Sequence, residues 1–213
     1  SGRIEVENWD ENQVRVDYIK RGPGKHPEVK IDISGDKLVV AAVYPKGAIN
    51  FGSVDFNIKA PEDLEYLEAK SISGRINING LSETEQKLTT TSGSIITESS
   101  ADLEISSVSG SLNFSSSGNR IDASTTSGRI EGILEKDPTA GKIDLGSVSG
   151  RIVLEVPDNL NADIDLHSVS GSVSSDLPVS VHETKRNTIK GVIGRGGTDL
   201  EISTVSGAIK IVQ

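Results

Sequence analysis

Six carboxylate side chains recur along the chain at intervals of 18 to 36 residues and are the residues best suited to binding chemistry. They stand at Glu68, Glu104, Asp122, Asp144, Asp165 and Glu201. Carboxylate oxygens are hard ligands that suit Ca²⁺, and a row of them also suits a basic partner. We call these six residues the acidic stripe and expect them to face outward. The plainer interpretation is a solvated face that keeps the chain soluble.

The rest of the sequence predicts no cofactor, with Ca²⁺ as the alternative. Gly197-Thr198-Asp199 resembles one fragment of the nonapeptide Ca²⁺ repeat, but no complete Ca²⁺ loop is present. His26, His167 and His182 lie far apart and lack the spacing of metal ligands. We therefore expect each histidine to be an exposed structural residue.

Nucleophilic catalysis is not expected from the serines. The motif Ser-x-Ser or Thr-x-Ser followed by Gly occurs in every repeat, whereas a nucleophilic serine is usually unique and needs a base and an orienting group. Arg75, Arg129 and Arg151 each follow a repeat glycine and could contact an acidic sugar, although simple surface charge explains them too. The sequon Asn113-Phe114-Ser115 lies within a predicted strand, so we discount it as a glycosylation site.

The repeat that positions these side chains is marked by glycine. Seven glycines close the motif and define what we call the glycine ladder: Gly74, Gly93, Gly110, Gly128, Gly150, Gly171 and Gly207. Successive glycines lie 17 to 22 residues apart, except for a final gap of 36. Because that gap is about twice the others, it predicts a degenerate coil near Gly191. The acidic stripe stands six residues before these glycines, and Lys87 occupies the same position before Gly93.

Apolar residues alternate around each glycine, as the Gly150 repeat illustrates. Ile143, Leu145 and Val148 precede it by seven, five and two residues, and Ile152 and Leu154 follow it by two and four. Alternation is typical of a half-buried strand, so all five positions are expected to point inward. The step of three between Leu145 and Val148 breaks the alternation and predicts a corner there. A hydroxyl residue stands three before every glycine, where it could bond backbone at a bend.

Repeats of this kind cannot bury their apolar side alone, and stacking buries a continuous interior. The sequence therefore predicts an all-β fold, a single-stranded parallel β-helix (β-solenoid) with about 17–22 residues per coil. We expect it to be right-handed, from the general preference of parallel crossovers. A helical repeat is excluded because no segment shows a period of 3.6 residues.

The chain is predicted to form one domain over residues 1–213, with regular repeats over 67–213. Residues 1–66 are expected to form atypical coils and a cap, because they hold most of the aromatics, namely Trp9, Tyr18, Tyr44 and Phe51. Residues 178–197 are rich in Gly and charge, which predicts a loop or an irregular coil.

Composition limits the possible partners. The net charge of −9 disfavours nucleic acid and anionic lipid, and the absence of Cys removes disulfides and thiolate chemistry. No apolar run reaches the roughly 18–20 residues that span a membrane. The chain does not begin with Met, and we expect a signal peptide to have been removed.

The repeated Ser-Val-Ser-Gly-x-Ile units resemble the bacterial putative-adhesin family, a domain of unknown function. Two longer stretches share the resemblance, Ala60-Pro61-Glu62-Asp63-Leu64 and Val156-Pro157-Asp158-Asn159-Leu160, each leading into a repeat. So does Gly194-Arg195-Gly196-Gly197 before the last repeat. The resemblance implies a β-solenoid in an exported protein and no catalytic motif.

These observations favour a non-catalytic exported binding or structural module, adhesin-like, that meets a protein or glycan at the cell surface. One alternative is a carbohydrate-active β-helix enzyme, but that needs paired carboxylates across a cleft, and the short returns between coils leave little material for cleft walls. Another is an envelope-stress or signalling component that contacts a membrane protein.

Overall fold

The computed structural model describes residues 2–23, 25–34, 37–43 and 52–213; Ser1, Tyr44 and Phe51 lie outside them. These ranges form 21 β-strands and no helix. In chain order the strands are β1 Ile4–Trp9, β2 Arg15–Arg21, β3 Glu28–Ser34, β4 Lys37–Val43, β5 Ser53–Pro61, β6 Tyr66–Ser73, β7 Ile76–Asn79, β8 Glu85–Ser92, β9 Ile95–Ser99, β10 Leu103–Ser109, β11 Leu112–Ser116, β12 Arg120–Ser127, β13 Ile130–Leu134, β14 Lys142–Ser149, β15 Ile152–Glu155, β16 Ala162–Ser168, β17 Ser172–Ser175, β18 Ser180–Lys185, β19 Thr188–Ile193, β20 Thr198–Ser206 and β21 Ala208–Val212.

Two large sheets enclose the core. The nine-stranded sheet has the order β18-β19-β16-β20-β14-β12-β10-β8-β6, and the ten-stranded sheet has the order β17-β21-β15-β13-β11-β9-β7-β1-β5-β2. Each repeat contributes one strand to each sheet, and neighbouring repeats pair in parallel, as β12 with β14 and β13 with β15 do. The fold is therefore all-β with mostly parallel sheets, consistent with a β-solenoid.

The core is aliphatic and lies between the sheets. Ile143 and Leu145 on β14 and Ile152 and Leu154 on β15 are all fully buried. The corresponding residues of the other repeats are buried or partly buried, so the positions seven and five before the glycine and two and four after it point inward, as the alternation predicts. Branched aliphatic side chains suit this arrangement because they pack well on a pleated surface.

The position two residues before the glycine is exposed, and the prediction that it points inward is wrong. Val148 is 51% exposed, whereas the preceding Ser147 is buried. The reason is that β14 does not bend after Leu145: the alternation continues through the buried Ser147 to the exposed Val148. The buried hydroxyl three before the glycine thus occupies the core position that the sequence analysis gave to valine. In one repeat Ser168 Oγ donates to the carbonyl oxygen of Gly207, at 3.1 Å.

The corner lies at the glycine ladder, between the two strands of each repeat. A Cβ atom added to Gly128 would lie 1.9 Å from the carbonyl oxygen of Gly110, and one added to Gly150 would lie 1.7 Å from that of Gly128. Every other member of the ladder shows the same contact at 1.7–1.8 Å. Each carbonyl therefore points at the Cα of the next glycine, an approach that only a residue without a side chain permits.

The stack does not follow chain order at its two ends. Strand β20 lies between β14 and β16, so Gly207 stands between Gly150 and Gly171. Strand β1 lies between β5 and β7, and Gly2 extends the glycine ladder beyond Gly74. Part of the N-terminal region, which was expected to form atypical coils and a cap, therefore belongs to the stack itself.

Residues 178–197 contain a β-hairpin, with one register shift between Val181 and Glu183, rather than a loop or a degenerate coil. Strands β18 and β19 pair antiparallel, and β19 pairs antiparallel with β16, so the hairpin extends the nine-stranded sheet at its edge. At the other end β2 pairs antiparallel with β5, and Tyr18 packs against Phe56 with ring centroids 6.3 Å apart. Strands β3 and β4 form a separate two-stranded sheet.

Candidate binding face

The acidic stripe lies in one column on the outward face of the nine-stranded sheet. Strand pairing places its members and Lys87 side by side in the order Glu68, Lys87, Glu104, Asp122, Asp144, Glu201 and Asp165. Neighbouring strands are about 4.8 Å apart, so adjacent carboxylates repel one another. The order departs from the sequence only because β20 is inserted before β16.

Lysines neutralise Glu104 and Asp165, the two members that flank the centre of the acidic stripe. Lys87 Nζ lies 2.6 Å from Glu104 Oε1, and Lys190 Nζ lies 2.5 Å from Asp165 Oδ2. These hydrogen bonds raise the pKa of both lysines. In the part of the chain that the structure describes, Asp122, Asp144 and Glu201 form no direct ion pair. The centre of the stripe is therefore a run of three carboxylates that have no direct ion pair in the described part of the chain.

This arrangement disfavours the ionised form of Asp122. Partial burial raises its pKa most, and the neighbouring carboxylates of Asp144 and Glu104 raise it further. Arg120 and Lys142 act in the opposite direction and do not cancel the effect. A carboxylate with a raised pKa in the folded state costs stability when it is ionised.

We expect Asp122→Asn to raise the melting temperature by about 1–3 °C at pH 7, because it removes a charge that partial burial and the neighbouring carboxylates disfavour. The sign of the pH dependence follows from the raised pKa: the wild type recovers stability as the pH falls through the folded-state pKa, above the ordinary value of 3.8. The advantage of the variant should therefore disappear below that range. Thermal melts between pH 3 and pH 8 measure it. Glu104→Gln is the control, since it removes the partner of Lys87 and should not stabilise.

Nothing in the described residues encloses a metal ion. No group of three His, Cys, Asp or Glu side chains converges there. The three histidines are exposed, and His167 Nδ1 lies 3.1 Å from Thr188 Oγ1. Two residues of the fragment Gly197-Thr198-Asp199 make hydrogen bonds to other parts of the chain. The Gly197 N–H donates to Asp163 Oδ2 at 2.9 Å, and the Thr198 hydroxyl donates to the carbonyl oxygen of Pro138.

Two further columns share this face with the acidic stripe, and the sequence analysis missed both. The first consists of small residues four before the glycine, which we call the furrow: Thr89, Ser106, Ser124, Gly146 and Ser203. The second is the exposed column two before the glycine, which we call the valine ridge: Ile72, Thr91, Val108, Thr126, Val148, Val205 and Val169. Unbroken alternation along each strand was the signal that could have revealed them.

A cleft of about 460 Å³ opens where the β18–β19 hairpin meets β16 and β20. Asp165, Glu183, Lys185 and Lys190 line it. Lys185 Nζ lies 2.5 Å from Glu183 Oε1, and Lys190 is bonded to Asp165 as described above. These four charges are therefore paired with one another, whereas Glu201, which also lines the cleft, has no direct ion pair among the described residues.

The repeat serines and arginines show no catalytic arrangement. Among the hydrogen bonds of the described residues, no repeat serine contacts a histidine. Arg75 Nε lies 3.3 Å from Ser94 Oγ, Arg129 Nη1 lies 3.2 Å from Glu131 Oε1, and Arg151 is exposed. Phe114 of the sequon is buried on β11.

In the described ranges no helix is long and apolar enough to cross a membrane.

No curated protein matches the chain. Among solved structures, a putative cell adhesion protein from Clostridium sporogenes is similar, with 15% sequence identity and a TM-score of 0.45, covering 100% of this chain and 88% of that one. The family model described as Toastrack DUF4097 matches residues 1–212. The chain therefore belongs to the Toastrack DUF4097 family, as its repeats indicated.

Proposed function

We propose that this protein is a non-catalytic, exported binding module that presents the acidic stripe to a basic partner. The observation that carries the proposal is the central run of Asp122, Asp144 and Glu201, which are in register and have no ion pair in the described part of the chain. A row of like charges at this spacing lowers the stability of the folded protein, and the cations of a bound partner would reduce that repulsion.

The sheet makes this a preorganised surface. Except for Glu68 on the edge strand β6, each carboxylate stands on a strand that is paired on both sides, as β14 is between β12 and β20. Binding therefore orders few side chains, which lowers its entropic cost. The combined negative potential of the stripe also raises the association rate of a cationic partner at low salt.

The location and the winding belong to the same proposal. An extracytoplasmic site is supported by the resemblance of the repeats to the adhesin-like family. A right-handed coil of about 17–22 residues is supported by the intervals between the repeat glycines and by the general preference of parallel crossovers.

A carbohydrate-active enzyme fits this geometry less well. Glycoside hydrolysis uses two carboxyl groups on either side of the scissile bond. The stripe offers its carboxylates in one column of a sheet face, and Asp165 and Glu183 in the cleft are bonded to Lys190 and Lys185. A signalling component that contacts a membrane protein could use the same face and gives the same expectations below.

Titration with a fluorescently labelled hexalysine peptide tests the proposal. We expect the double variant Asp122→Asn, Asp144→Asn to bind about tenfold more weakly, because it removes two charge contacts of about 0.5–1 kcal/mol each. The matched control is Glu98→Gln, Glu155→Gln, which changes the net charge equally on exposed residues of the ten-stranded sheet.

The control should lose less than about threefold in affinity. Equal losses in both double variants would show that the peptide senses only net charge and would overturn the proposal. A parallel titration with CaCl₂ against NaCl of matched ionic strength separates an ion site from a docking surface: a rise in melting temperature specific to Ca²⁺ would replace the basic partner by the ion.

A further inference from the structure

The valine ridge is an apolar surface that the described chain leaves uncovered. Ile72 is 71% exposed, Val169 is 61% exposed, and Val108, Val148 and Val205 are 49–52% exposed. Single exposed aliphatic residues are ordinary on protein surfaces, but a contiguous group of them marks an interaction site. Val148, Val205 and Val169 form such a group on neighbouring strands, whereas Thr91 and Thr126 interrupt the rest of the ridge. The row runs the length of the regular stack, because it recurs on seven neighbouring strands of the nine-stranded sheet.

The furrow beside the ridge is shaped to receive such a row. Its five members are small: three serines, one threonine and one glycine. The Ser106 hydroxyl donates a hydrogen bond to Thr89 Oγ1 at 3.3 Å. Long side chains limit it at both ends, since Lys70 and His167 occupy the same position on β6 and β16. The face therefore consists, in order, of the acidic stripe, a shallow furrow and an aliphatic ridge.

We propose that the partner of this face is a second copy of the same chain. The two copies are related by a twofold axis parallel to the stack, and the ridge of each lies in the furrow of the other. The inference rests on the proposed function, because arginines of the second copy supply the cations that face the acidic stripe, and it adds that the binding is homophilic.

Spacing supports a second copy over an extended peptide. Side chains in the ridge and the furrow repeat with the strand separation of about 4.8 Å. Along an extended peptide, side chains on one face repeat about every 6.6–6.8 Å, so a peptide laid along the furrow loses register within a few residues. Another stack has the same 4.8 Å repeat, so Val148 of each copy meets Gly146 of the other and Val108 meets Ser106.

Charge determines the orientation of the two copies. With the axis parallel to the stack, the acidic stripe of one copy lies opposite the corner of the other, where an arginine follows the glycine in three repeats. Asp122 then faces Arg129 and Asp144 faces Arg151, while Lys87 faces Ser94 and meets no like charge. An axis along the strands would instead oppose one acidic stripe to the other, which repulsion disfavours.

The size of the face sets the expected affinity. Seven strands about 4.8 Å apart and six residues of about 3.3 Å rise give a contact area of about 600 Å² per copy. Stable interfaces bury about 800 Å² per partner, so the dimer should be weak and depend on concentration.

Sedimentation equilibrium of the whole chain tests the dimer at concentrations from about 10 µM to about 1 mM, the range of a weak interface. We expect the wild type to shift from monomer to dimer. Val148→Asp should abolish the shift, because it places a charge in the partner's furrow. The matched control is Ile133→Asp, an exposed aliphatic residue on the ten-stranded sheet, which should leave the dimer intact.

Charge reversal tests the orientation. Asp144→Arg and Arg151→Asp should each weaken the dimer by about fivefold or more, because each variant sets like charges opposite one another at two symmetric contacts. The two substitutions combined should restore wild-type affinity, since the pair is re-formed with opposite signs and the net charge is unchanged.

The outcomes separate this inference from the proposed function. Val148→Asp leaves the acidic stripe intact, so hexalysine should still bind it under conditions where the chain is monomeric. A wild type that stays monomeric up to about 1 mM, an Ile133→Asp variant as defective as Val148→Asp, or a charge-reversal pair that does not recover would overturn the dimer. Loss of hexalysine selectivity alone would overturn only the proposed basic partner.

Discussion

A Gly128→Ala variant is expected to lose at least about 3 kcal/mol of its free energy of unfolding. The added Cβ would lie 1.9 Å from the carbonyl oxygen of Gly110, so the two backbones must move apart. Neither backbone yields easily, because Gly128 is held on its other side by Gly150 and the glycine ladder continues in both directions. The backbone at Gly128 does not have a positive φ, so the effect is purely steric.

Gly146→Ala is the matched control in the same sheet. A Cβ added there meets nothing within 4 Å, so alanine should be neutral or stabilise by about 0.4–1 kcal/mol through the unfolded state. Urea unfolding of both variants measures the difference. Equal midpoints would mean that the glycine ladder is not close-packed.

Leu145→Ala is expected to cost roughly 2–4 kcal/mol, as is typical for a buried aliphatic side chain replaced by alanine. Leu145 is fully buried, and its neighbours in the column, Ala123 and Ile202, belong to rigidly paired strands. The strands cannot collapse into the space, so the cost includes an unfilled cavity as well as lost burial.

Val148→Ala tests the same strand at a position that the sequence analysis assigned to the core. Since Val148 is 51% exposed, its truncation should cost less than about 1 kcal/mol. Urea midpoints of the two variants should therefore differ clearly, with Leu145→Ala the less stable. The reverse order would place Val148 inside and restore the corner that the sequence suggested.

The inward columns could be predicted from the sequence because alternation is a property of a single strand. Ile143 and Leu145, or Ile152 and Leu154, share a face by local geometry alone. Close backbone approach at the glycine was also accessible, since a repeated position without a side chain implies it. The corner itself was predicted between Leu145 and Val148, whereas it lies at the glycine. The column of the acidic stripe followed directly from these alignments.

The valine ridge could not be predicted by the same reasoning, because that reasoning assigned every apolar residue of the repeat to the core. That rule holds in one direction only, as much of a folded protein's surface is apolar. Treating Val148 as core required a bend after Leu145, whereas Ser147 fills that core position and keeps the strand straight. Because a small hydroxyl residue takes the core position three before the glycine, the next residue, a valine in several repeats, points outward.

The spatial order of the repeats was equally inaccessible. The repeats ending at Gly171 and Gly207 carry the same motif, so their alignment does not say which one follows Gly150. Only three-dimensional pairing shows that β20 takes that place and that Glu201 separates Asp144 from Asp165.

The insertion of β1 and β20 limits how the protein can fold. A simple solenoid can nucleate anywhere and grow one coil at a time, because each coil contacts only its sequence neighbours. Here the coils from β6 to β15 can assemble in that way, but β16 cannot dock in its final place until β20, synthesised later, has paired with β14. The C-terminal strands thus close the sheet by a long-range step, which carries a larger entropic barrier and slows the last stage of folding.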